Sequence, residues 1–465
     1  MPSPRQLNHD SSILIVGAGT WGCSIALHLA RRGYRHVTVL DPYPVPSPIA
    51  AGNDINKIVE YAGNQDLNDN PDADPVAFAF EACSKAAMDG WRHDPVFKPY
   101  FHETGFIIAG HTPETIEYIR QHELSPSSES DYVTLETAED FRGTMPTGVL
   151  TGEFPGWRGW WKKKKDGGGA GWAHARKALV AAFEEAKRLG VTFITGSPRG
   201  EVVSLVFDKD NDDDDGDGKG DVIGAKTADG QLHRAAHTIL AAGANSDRLL
   251  DFEKQLRPTA WTLAHIRMTP DEAKRYRDLP VLFNIAKGFF MEPDADRNEL
   301  KICDEHPGYC NWVYDPDHPG QKRSVPFARH QIPREAEARV RDFLRDTMPH
   351  LADRPLVFAR ICWDADTPDR CFLIDRHPDH PSLLVAAGAS GHGFMQMPAI
   401  GGFIADALEG GLHRTIQYAF RWRPETAVHR DWRDTQGRFG GPDRVMDFQD
   451  IGEDGWTTIG EHGDE

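Results

Sequence analysis

Near its start the chain places a glycine-rich turn between an apolar strand and a helix. The strand is predicted over Ser12–Val16, the turn reads GAGTWG over residues 17–22, and the helix is predicted over residues 21–32. A second apolar strand at residues 37–40 ends at Asp41, which is placed to accept a hydrogen bond from an adenosine ribose. Strand, glycine turn, helix, strand and acid in this order are typical of a dinucleotide-binding βαβ unit. The unit requires a parallel sheet covered by helices.

Each glycine of the turn has a separate task in such a unit. Gly17 makes the tight turn, Gly19 lets the backbone approach a pyrophosphate, and Gly22 lets the helix pack closely on the strand. The pyrophosphate then lies on a helix N-terminus, where backbone N–H groups and the helix dipole favour an anion. A βα turn with only a structural role is the alternative. The predicted cofactor-binding residues of this unit are Gly17, Gly19, Thr20, Trp21, Gly22 and Asp41.

The chain has the composition of a globular protein that does not bind polyanions. Of its 465 residues 39% are hydrophobic and 26% are charged, and the formal net charge is −19. Because no basic stripe is present, nucleic acid and anionic membranes are poor candidate partners. No apolar run approaches the length of about 18 residues that a membrane helix needs.

The cysteines and the chain ends predict an intracellular protein. The six cysteines are scattered without a CxxC pair, which is typical of a reducing compartment and gives no metal-binding spacing. The polar first twelve residues contain no apolar signal region, and the last three residues are not a peroxisomal tripeptide. The sequence therefore predicts a cytoplasmic location and no metal site.

Two later segments repeat the theme of an apolar strand that ends in small residues, at residues 238–244 and 383–394. Three such strand ends, widely separated in the chain, predict an α/β fold in which one parallel Rossmann-type sheet is visited three times. The intervening segments are expected to form an α+β domain on a mostly antiparallel sheet. The predicted domains are 1–92, 170–250 and 355–412 for the nucleotide-binding domain, 93–169 and 251–354 for the substrate domain, and 413–465 for a tail that closes the active site.

Helices and one acidic loop complete the predicted organisation. Helices are predicted over residues 75–91, 171–188, 335–348 and 398–408, and mostly strands over residues 257–323. An acidic stretch joins predicted strands at Val202–Phe207 and Val222–Thr227, and it copies the front half of a calcium-binding loop. Position twelve of that frame is Gly224 instead of a bidentate Glu, so we predict a solvated hairpin tip.

Several strings, taken in chain order, resemble the fructosyl amino acid oxidases (amadoriases), a branch of the sarcosine-oxidase-like flavoenzymes. They are the turn at 17–22, LDPYP at 40–44, AGNDINK at 51–57, LKICDEHPGY at 300–309, ARICW at 359–363, GASGHGF at 388–394 and GRFGG at 437–441. The resemblance covers nearly the whole chain. It implies FAD bound covalently through a cysteine thioether, and we expect the protein to be a monomer. It also implies that dioxygen oxidises a glycated amine to a free amino acid, glucosone and hydrogen peroxide.

The resemblance places the flavin attachment on Cys362. Relatives often carry a second cysteine two positions later, where this chain has Asp364, and Cys371 has no matching role. From the residues alone, a cysteine after an apolar run is usually a buried core residue, and this interpretation stays open.

Three residues match positions that act on substrate or oxygen in the family. Lys301 matches a lysine over the flavin, where a fixed cation would stabilise developing superoxide; the alternative is a lysine on a strand edge that faces water. Glu305 and Arg438 match an acid–base pair at the substrate mouth, suited to sugar hydroxyls, a cationic amine and a carboxylate. A salt bridge between the substrate domain and the tail is their structural alternative.

The resemblance assigns the remaining cofactor-binding residues as well. Asn56 and Lys57 follow a loop beside the flavin ring, where Lys57 could compensate negative charge or could merely cap the loop, and the main chain of Val202 meets the adenine. The other predicted positions are Ala242, Gly243, Gly391, Gly393, Phe394 and Met395. Relatives commonly carry a lysine where this chain has Met395, so we predict weaker binding of a nearby α-carboxylate and a changed substrate preference.

Three other functions are compatible with the sequence. The first is an oxidase of N-methyl or cyclic amino acids, of the sarcosine or pipecolate type, on the same fold. The second is a nicotinamide-dependent dehydrogenase, and the third is a flavin-bearing binding protein without turnover. Glu305 and Arg438 favour the sugar-handling branch.

Overall fold

The structure is a computed structural model that describes residues 7–61, 73–124, 132–164, 169–208, 220–315, 320–429 and 444–459. Within these ranges, no helix is both long enough and apolar enough to cross a membrane.

Strands and helices alternate along the described chain. The strands are β1 (Ser12–Val16), β2 (His36–Asp41), β3 (Lys57–Glu60), β4 (Phe101–His102), β5 (Gly105–Gly110), β6 (Tyr132–Leu135), β7 (Arg158–Lys163), β8 (Ala170–Ala173), β9 (Thr192–Thr195), β10 (Val202–Phe207), β11 (Val222–Thr227), β12 (Leu232–Arg234), β13 (His237–Leu240), β14 (Arg257–Arg267), β15 (Val281–Asn284), β16 (Gly288–Phe290), β17 (Glu299–Cys303), β18 (Tyr309–Cys310), β19 (Trp312–Tyr314), β20 (Lys322–Ser324), β21 (Leu356–Asp366), β22 (Leu373–His377), β23 (His380–Ala387) and β24 (Met446–Asp447). The α-helices are α1 (Thr20–Arg31), α2 (Pro75–His93), α3 (Pro113–His122), α4 (Ala138–Arg142), α5 (Ala175–Arg188), α6 (Pro270–Arg275), α7 (Arg334–Thr347), α8 (Met397–Glu409) and α9 (Arg414–Phe420).

The first large sheet is a Rossmann-type sheet drawn from three distant parts of the chain. Its strand order is β22-β23-β13-β1-β2-β9, and all neighbours are parallel except the edge pair of β22 and β23. Helices α1, α2 and α8 pack together, and their apolar faces join the apolar faces of these strands in one core. The predicted α/β fold, with a sheet visited three times, is confirmed.

Two positions of the glycine turn require glycine, because a larger residue would clash with neighbouring backbone atoms. Gly17 has φ +107°, and a Cβ atom there would lie 2.4 Å from the carbonyl oxygen of Ala241. A Cβ atom on Gly22 would lie 1.9 Å from the carbonyl oxygen of Gly17, so α1 can approach β1 only with glycine at this position. The Asp41 carboxylate accepts a hydrogen bond from the Ala18 backbone N–H at 2.8 Å, which fixes the turn against β2.

The second large sheet is mostly antiparallel and carries the other half of the site. Its order is β24-β18-β14-β17-β16-β15-β5-β7-β6, with β21 paired to β14. The long strand β14 lies between β17 and β21, so that Leu263 is opposite Cys303 and Trp261 is opposite Cys362. Helix α7 packs its apolar residues into the core of this sheet.

Local predictions were confirmed except at one helix start. Helices α2, α7 and α8 match their predictions within two residues, and β10 and β11 form the predicted antiparallel hairpin. The helix predicted from residue 171 begins only at Ala175, because Ala170–Ala173 forms β8 between β3 and β4. The acidic hairpin tip, including residues 209–219, lies outside the described residues.

Candidate functional site

A cavity of about 780 Å³ lies between the two large sheets. The carboxyl ends of β1, β2, β13 and β23 border it on one side, and residues of β14, β17 and β21 border it on the other. Ligands of open α/β sheets bind at the carboxyl ends of the strands. The predicted site residues that line the cavity are Gly17, Gly19, Thr20, Trp21, Asp41, Lys57, Val202, Ala242, Gly243, Glu305, Cys362, Gly391, Gly393, Phe394 and Met395.

Three predicted site residues among those that the structure describes do not line the cavity wall. Gly22 packs against the turn, as described above, and Asn56 is buried with its side-chain amide donating to the Glu292 carbonyl at 3.0 Å. Lys301 is buried behind the wall. Arg438 lies outside the described residues.

The nucleotide end of the cavity offers backbone groups and open space. A Cβ atom on Gly19 would meet no atom within 4 Å, so this backbone faces the cavity freely, as an approaching pyrophosphate requires. The indole N–H of Trp21 donates to the Gly393 carbonyl at 3.2 Å and joins the first glycine turn to the third strand end. Burial raises the pKa of Asp41, although hydrogen bonds from the backbone N–H groups of Ala18 and Tyr43 act against this shift.

Lys301 belongs to a buried group of charges. Its ammonium donates to the Asp54 carboxylate at 2.7 Å and to the Asn56 carbonyl at 2.7 Å, and only 1% of the side chain of each charged partner is exposed. The alternative of a lysine that faces water is therefore wrong. Burial disfavours ionisation of Asp54, but the charges of Lys301, Lys57 and Arg360 outweigh burial and hold the pKa of that carboxyl well below its usual range.

Two cations flank the sulfur of Cys362. The Lys57 ammonium and the Arg360 guanidinium each lie 3.9 Å from it. Lys57 also pairs with Asp54 at 3.1 Å, and Arg360 donates to the Pro48 carbonyl at 3.0 Å. Burial opposes the charge on Lys57, but Cys362 and Asp54 outweigh it and raise the pKa of the lysine. Lys57 thus points into this charge group, and the alternative of a loop cap does not describe its contacts.

Several residues of this region carry no assignment from the sequence. Asp54, Arg360 and Cys303 lie inside the strings that carry the resemblance, but no local pattern gives them a role. Burial raises the pKa of Cys303 to about 12, so it is a neutral thiol on the cavity wall. The signal that could have indicated Arg360 is a charged residue inside an otherwise apolar segment, because such a charge is normally paired. Asp54 lies in a polar segment, AGNDINK, which carries no such signal.

The loop after β23 forms another part of the cavity wall. The Trp91 indole N–H donates to the Met395 carbonyl at 2.7 Å, which fixes the main chain at the position where relatives commonly carry lysine. Phe394 packs beside Trp91, with ring centroids 5.9 Å apart. Glu305 is half-buried and lines the cavity just beyond β17. The cavity thus combines a nucleotide cradle, a cysteine flanked by cations, and a chamber with apolar and acidic side chains.

This fold and site define an FAD dependent oxidoreductase, and the chain belongs to that family (DAO), which it matches over residues 12–407. Within the family it is placed among the amadoriases. It is 68% identical to fructosyl amine: oxygen oxidoreductase (Amadoriase I) from Aspergillus fumigatus, with a TM-score of 0.92 and coverage of 99% of this chain and 100% of that chain. It is 50% identical to the deglycating enzyme fructosamine oxidase (Amadoriase II) from the same organism, with a TM-score of 0.86 and coverage of 98% and 99%.

A more distant relative is named for a compound other than a fructosyl amine. The chain is 30% identical over 440 residues to L-saccharopine oxidase from Schizosaccharomyces pombe, which covers 91% of this chain and 95% of that protein.

Proposed function

We infer that this protein is an FAD-dependent oxidase that removes sugar from fructosyl amino acids. Two electrons and two protons pass from the substrate to dioxygen and give an imine and hydrogen peroxide, and water then hydrolyses the imine to the free amino acid and glucosone. The observation that carries this inference is the 68% identity to Amadoriase I over nearly the whole chain. The cavity supports it, because its glycine-rich end suits a dinucleotide and its other end leaves room for a small substrate.

The residues present fit FAD. The Gly19 backbone is open to the cavity, small residues end β13 and β23, and the N-terminus of α1 faces the same space. When bound, FAD supplies the acceptor for the hydride that leaves the carbon beside the substrate's secondary amine. The protein's part is to bind, orient and provide charge. We propose that Glu305 and Arg438 hold the substrate.

We propose that Lys301 stabilises negative charge when dioxygen is reduced. The contacts that support this role are those that fix its ammonium: Asp54 and the Asn56 carbonyl hold it in place, so little reorganisation is needed when charge develops nearby. The ammonium also lies 5.6 Å from the ring centroid of Phe289, a residue of the cavity wall.

We also propose that Cys362 carries the flavin as a thioether. Its support is the position of the thiol on the cavity wall, where the Lys57 ammonium and the Arg360 guanidinium each lie 3.9 Å from its sulfur. Acid precipitation of the purified protein tests the link, since a covalent flavin stays with the yellow pellet. Cys362→Ser should release all pigment to the supernatant, whereas Cys371→Ser, a control cysteine on the same cavity wall, should not.

A peroxide-coupled assay tests the reaction itself. Purified protein should release hydrogen peroxide and free valine from fructosyl-valine. Peroxide from sarcosine or pipecolate, with none from fructosyl-valine, would instead support the N-methyl or cyclic amino acid oxidase. A colourless protein that is active only with added NAD would contradict the flavin assignment. A yellow protein that oxidises none of these compounds would support a flavin-binding protein without turnover. The monomeric state and the cytoplasmic location stay predictions.

A further inference from the structure

A buried arginine after α9 contacts the loop that joins β21 to β22, residues 367–372, which we call the wall loop. Only 3% of the side chain of Arg423 is exposed. Its Nε and Nη2 atoms donate to the two carboxylate oxygens of Asp369 at 2.8 and 2.9 Å. Nη2 also donates to the Cys371 carbonyl at 2.8 Å, and Nη1 donates to the Phe372 carbonyl at 3.0 Å. One guanidinium therefore holds a carboxylate and two consecutive carbonyls of the same loop.

The wall loop contains a residue whose backbone is strained. Arg370 has φ +59°, in the left-handed region that residues other than glycine seldom adopt. Such a conformation persists only where the surrounding structure fixes it. Asp369 and Cys371 flank this residue, and both accept hydrogen bonds from Arg423. The contacts of the buried guanidinium therefore hold the strained backbone from both sides.

The wall loop also forms part of the cavity wall. Asp369, Arg370 and Cys371 all line the cavity. At the other end of the loop, the Thr367 backbone N–H donates to the Ser390 hydroxyl at 3.1 Å. Ser390 belongs to the loop after β23. The wall loop is thus fixed to the loop after β23 at its first residue, and it depends on Arg423 at its last four.

Other contacts fix the segment that carries the arginine. The backbone N–H of Arg423 donates to the side-chain oxygen of Gln255 at 2.6 Å, and Gln255 is 1% exposed. The backbone N–H of Trp422 donates to the Asp375 carboxylate at 2.9 Å, and its indole N–H donates to the Glu253 carboxylate at 2.8 Å. None of these three acceptors belongs to the wall loop. The place of the guanidinium is therefore set independently of the loop that it holds.

We propose that Arg423 is a positioning residue for substrate binding, because it holds the wall loop in the conformation that shapes the cavity. This inference rests on the proposed function, since it concerns the affinity for a glycated amine. The planar guanidinium matches a carboxylate with two N–H groups and has further N–H groups for the carbonyls. A lysine ammonium keeps the charge but has all three donors on one atom, so the fork is lost.

Arg423→Lys tests the proposal through a split between KM and kcat. The variant should raise KM for fructosyl-valine about tenfold and leave kcat within about twofold, because the contacts of Lys301 and Cys362 are unchanged. Arg421→Lys is the matched control, since the Arg421 guanidinium contacts Tyr418 and Glu425, and it should leave both constants unchanged. A folded, yellow Arg423→Lys with the KM of the wild type would overturn the proposal.

Urea unfolding of Arg423→Lys in two backgrounds gives a measurement that needs no turnover. Glycine adopts φ +59° without strain, so Arg370→Gly removes what the guanidinium has to hold. The fall in the folding equilibrium constant caused by Arg423→Lys should be about fivefold smaller in the Arg370→Gly background than in the wild type. Equal falls in both backgrounds would also overturn the proposal.

Two further outcomes stay distinguishable. No peroxide from fructosyl-valine with the wild-type protein would overturn the proposed function, whereas the unfolding experiment would still decide whether Arg423 holds the wall loop. If Arg423→Lys does not fold, Gln255→Met takes its place. Gln255 lies outside the cavity wall, and the change removes the acceptor of the Arg423 backbone N–H, so KM should rise in the same direction. An unchanged KM in a folded Gln255→Met would then overturn the proposal.

Discussion

Asp54→Asn should destabilise the protein strongly, because it removes the carboxylate of a buried group of charges. Asp54 lies 2.7 Å from the Lys301 ammonium and 3.1 Å from that of Lys57, and the charge of Arg360 also lowers its pKa. Asparagine has nearly the same shape and keeps some hydrogen bonds, but it leaves three cations without their carboxylate.

The size of the expected loss in the free energy of unfolding follows from the burial of Asp54 and Lys301. Only 1% of each side chain in the Asp54–Lys301 pair is exposed, so water cannot replace the lost charge. Removing one partner of a buried ion pair costs about 3–5 kcal/mol. The lowered pKa of Asp54 gives the sign of the pH effect. The stabilising contribution is present above the ordinary pKa of about 3.9 and is lost as pH falls through the lower pKa of the folded state.

Urea unfolding, followed through the fluorescence of the chain's 12 tryptophans, measures the change. Asp353→Asn is the control, because Asp353 is exposed, and it should change the free energy of unfolding by less than about 0.5 kcal/mol. The double variant Asp54→Asn, Lys301→Met should be more stable than Asp54→Asn, since it also removes the unpaired cation. A loss for Asp54→Asn no larger than that of Asp353→Asn would refute the buried pair.

Three further changes test other parts of the molecule. Gly22→Ala should abolish flavin retention in the folded fraction, because the new Cβ atom would lie 1.9 Å from the Gly17 carbonyl oxygen; full yellow colour in that variant would contradict the packing. Lys301→Met should slow reoxidation of the reduced enzyme by about 10²-fold in stopped-flow experiments, with a smaller effect on reduction by substrate. Met395→Lys should lower KM for fructosyl-valine more than for fructosyl-lysine, and equal Michaelis constants before and after the change would discard the role of this position.

The nucleotide half of the site follows from the sequence because its signals are local. The turn at residues 17–22 and Asp41 belong to one βαβ unit, and steric limits at Gly17 and Gly22 allow few alternatives. The hairpin of β10 and β11 was also predicted, since two strand-like segments joined by an acidic connection indicate it without distant contacts.

The helix predicted from residue 171 shows where local reasoning fails. Residues 170–173 read AGWA, which is compatible with either structure, and their pairing with β3 and β4 makes them a strand. The pairing with β3 joins residues more than one hundred positions apart, the pairing with β4 joins residues about 70 positions apart, and no local pattern specifies either.

The sequence by itself determined the parallel sheet, the dinucleotide-binding turn and, through resemblance, the candidate Cys362 and Lys301. Only the tertiary structure decided what surrounds those two residues. Asp54 contacts Lys301, which is 247 positions away in the sequence, and Lys57 contacts Cys362, which is 305 positions away. The physical reason is that a buried charge is stable only beside its partners. Folding supplies those partners from strands that are distant in the chain.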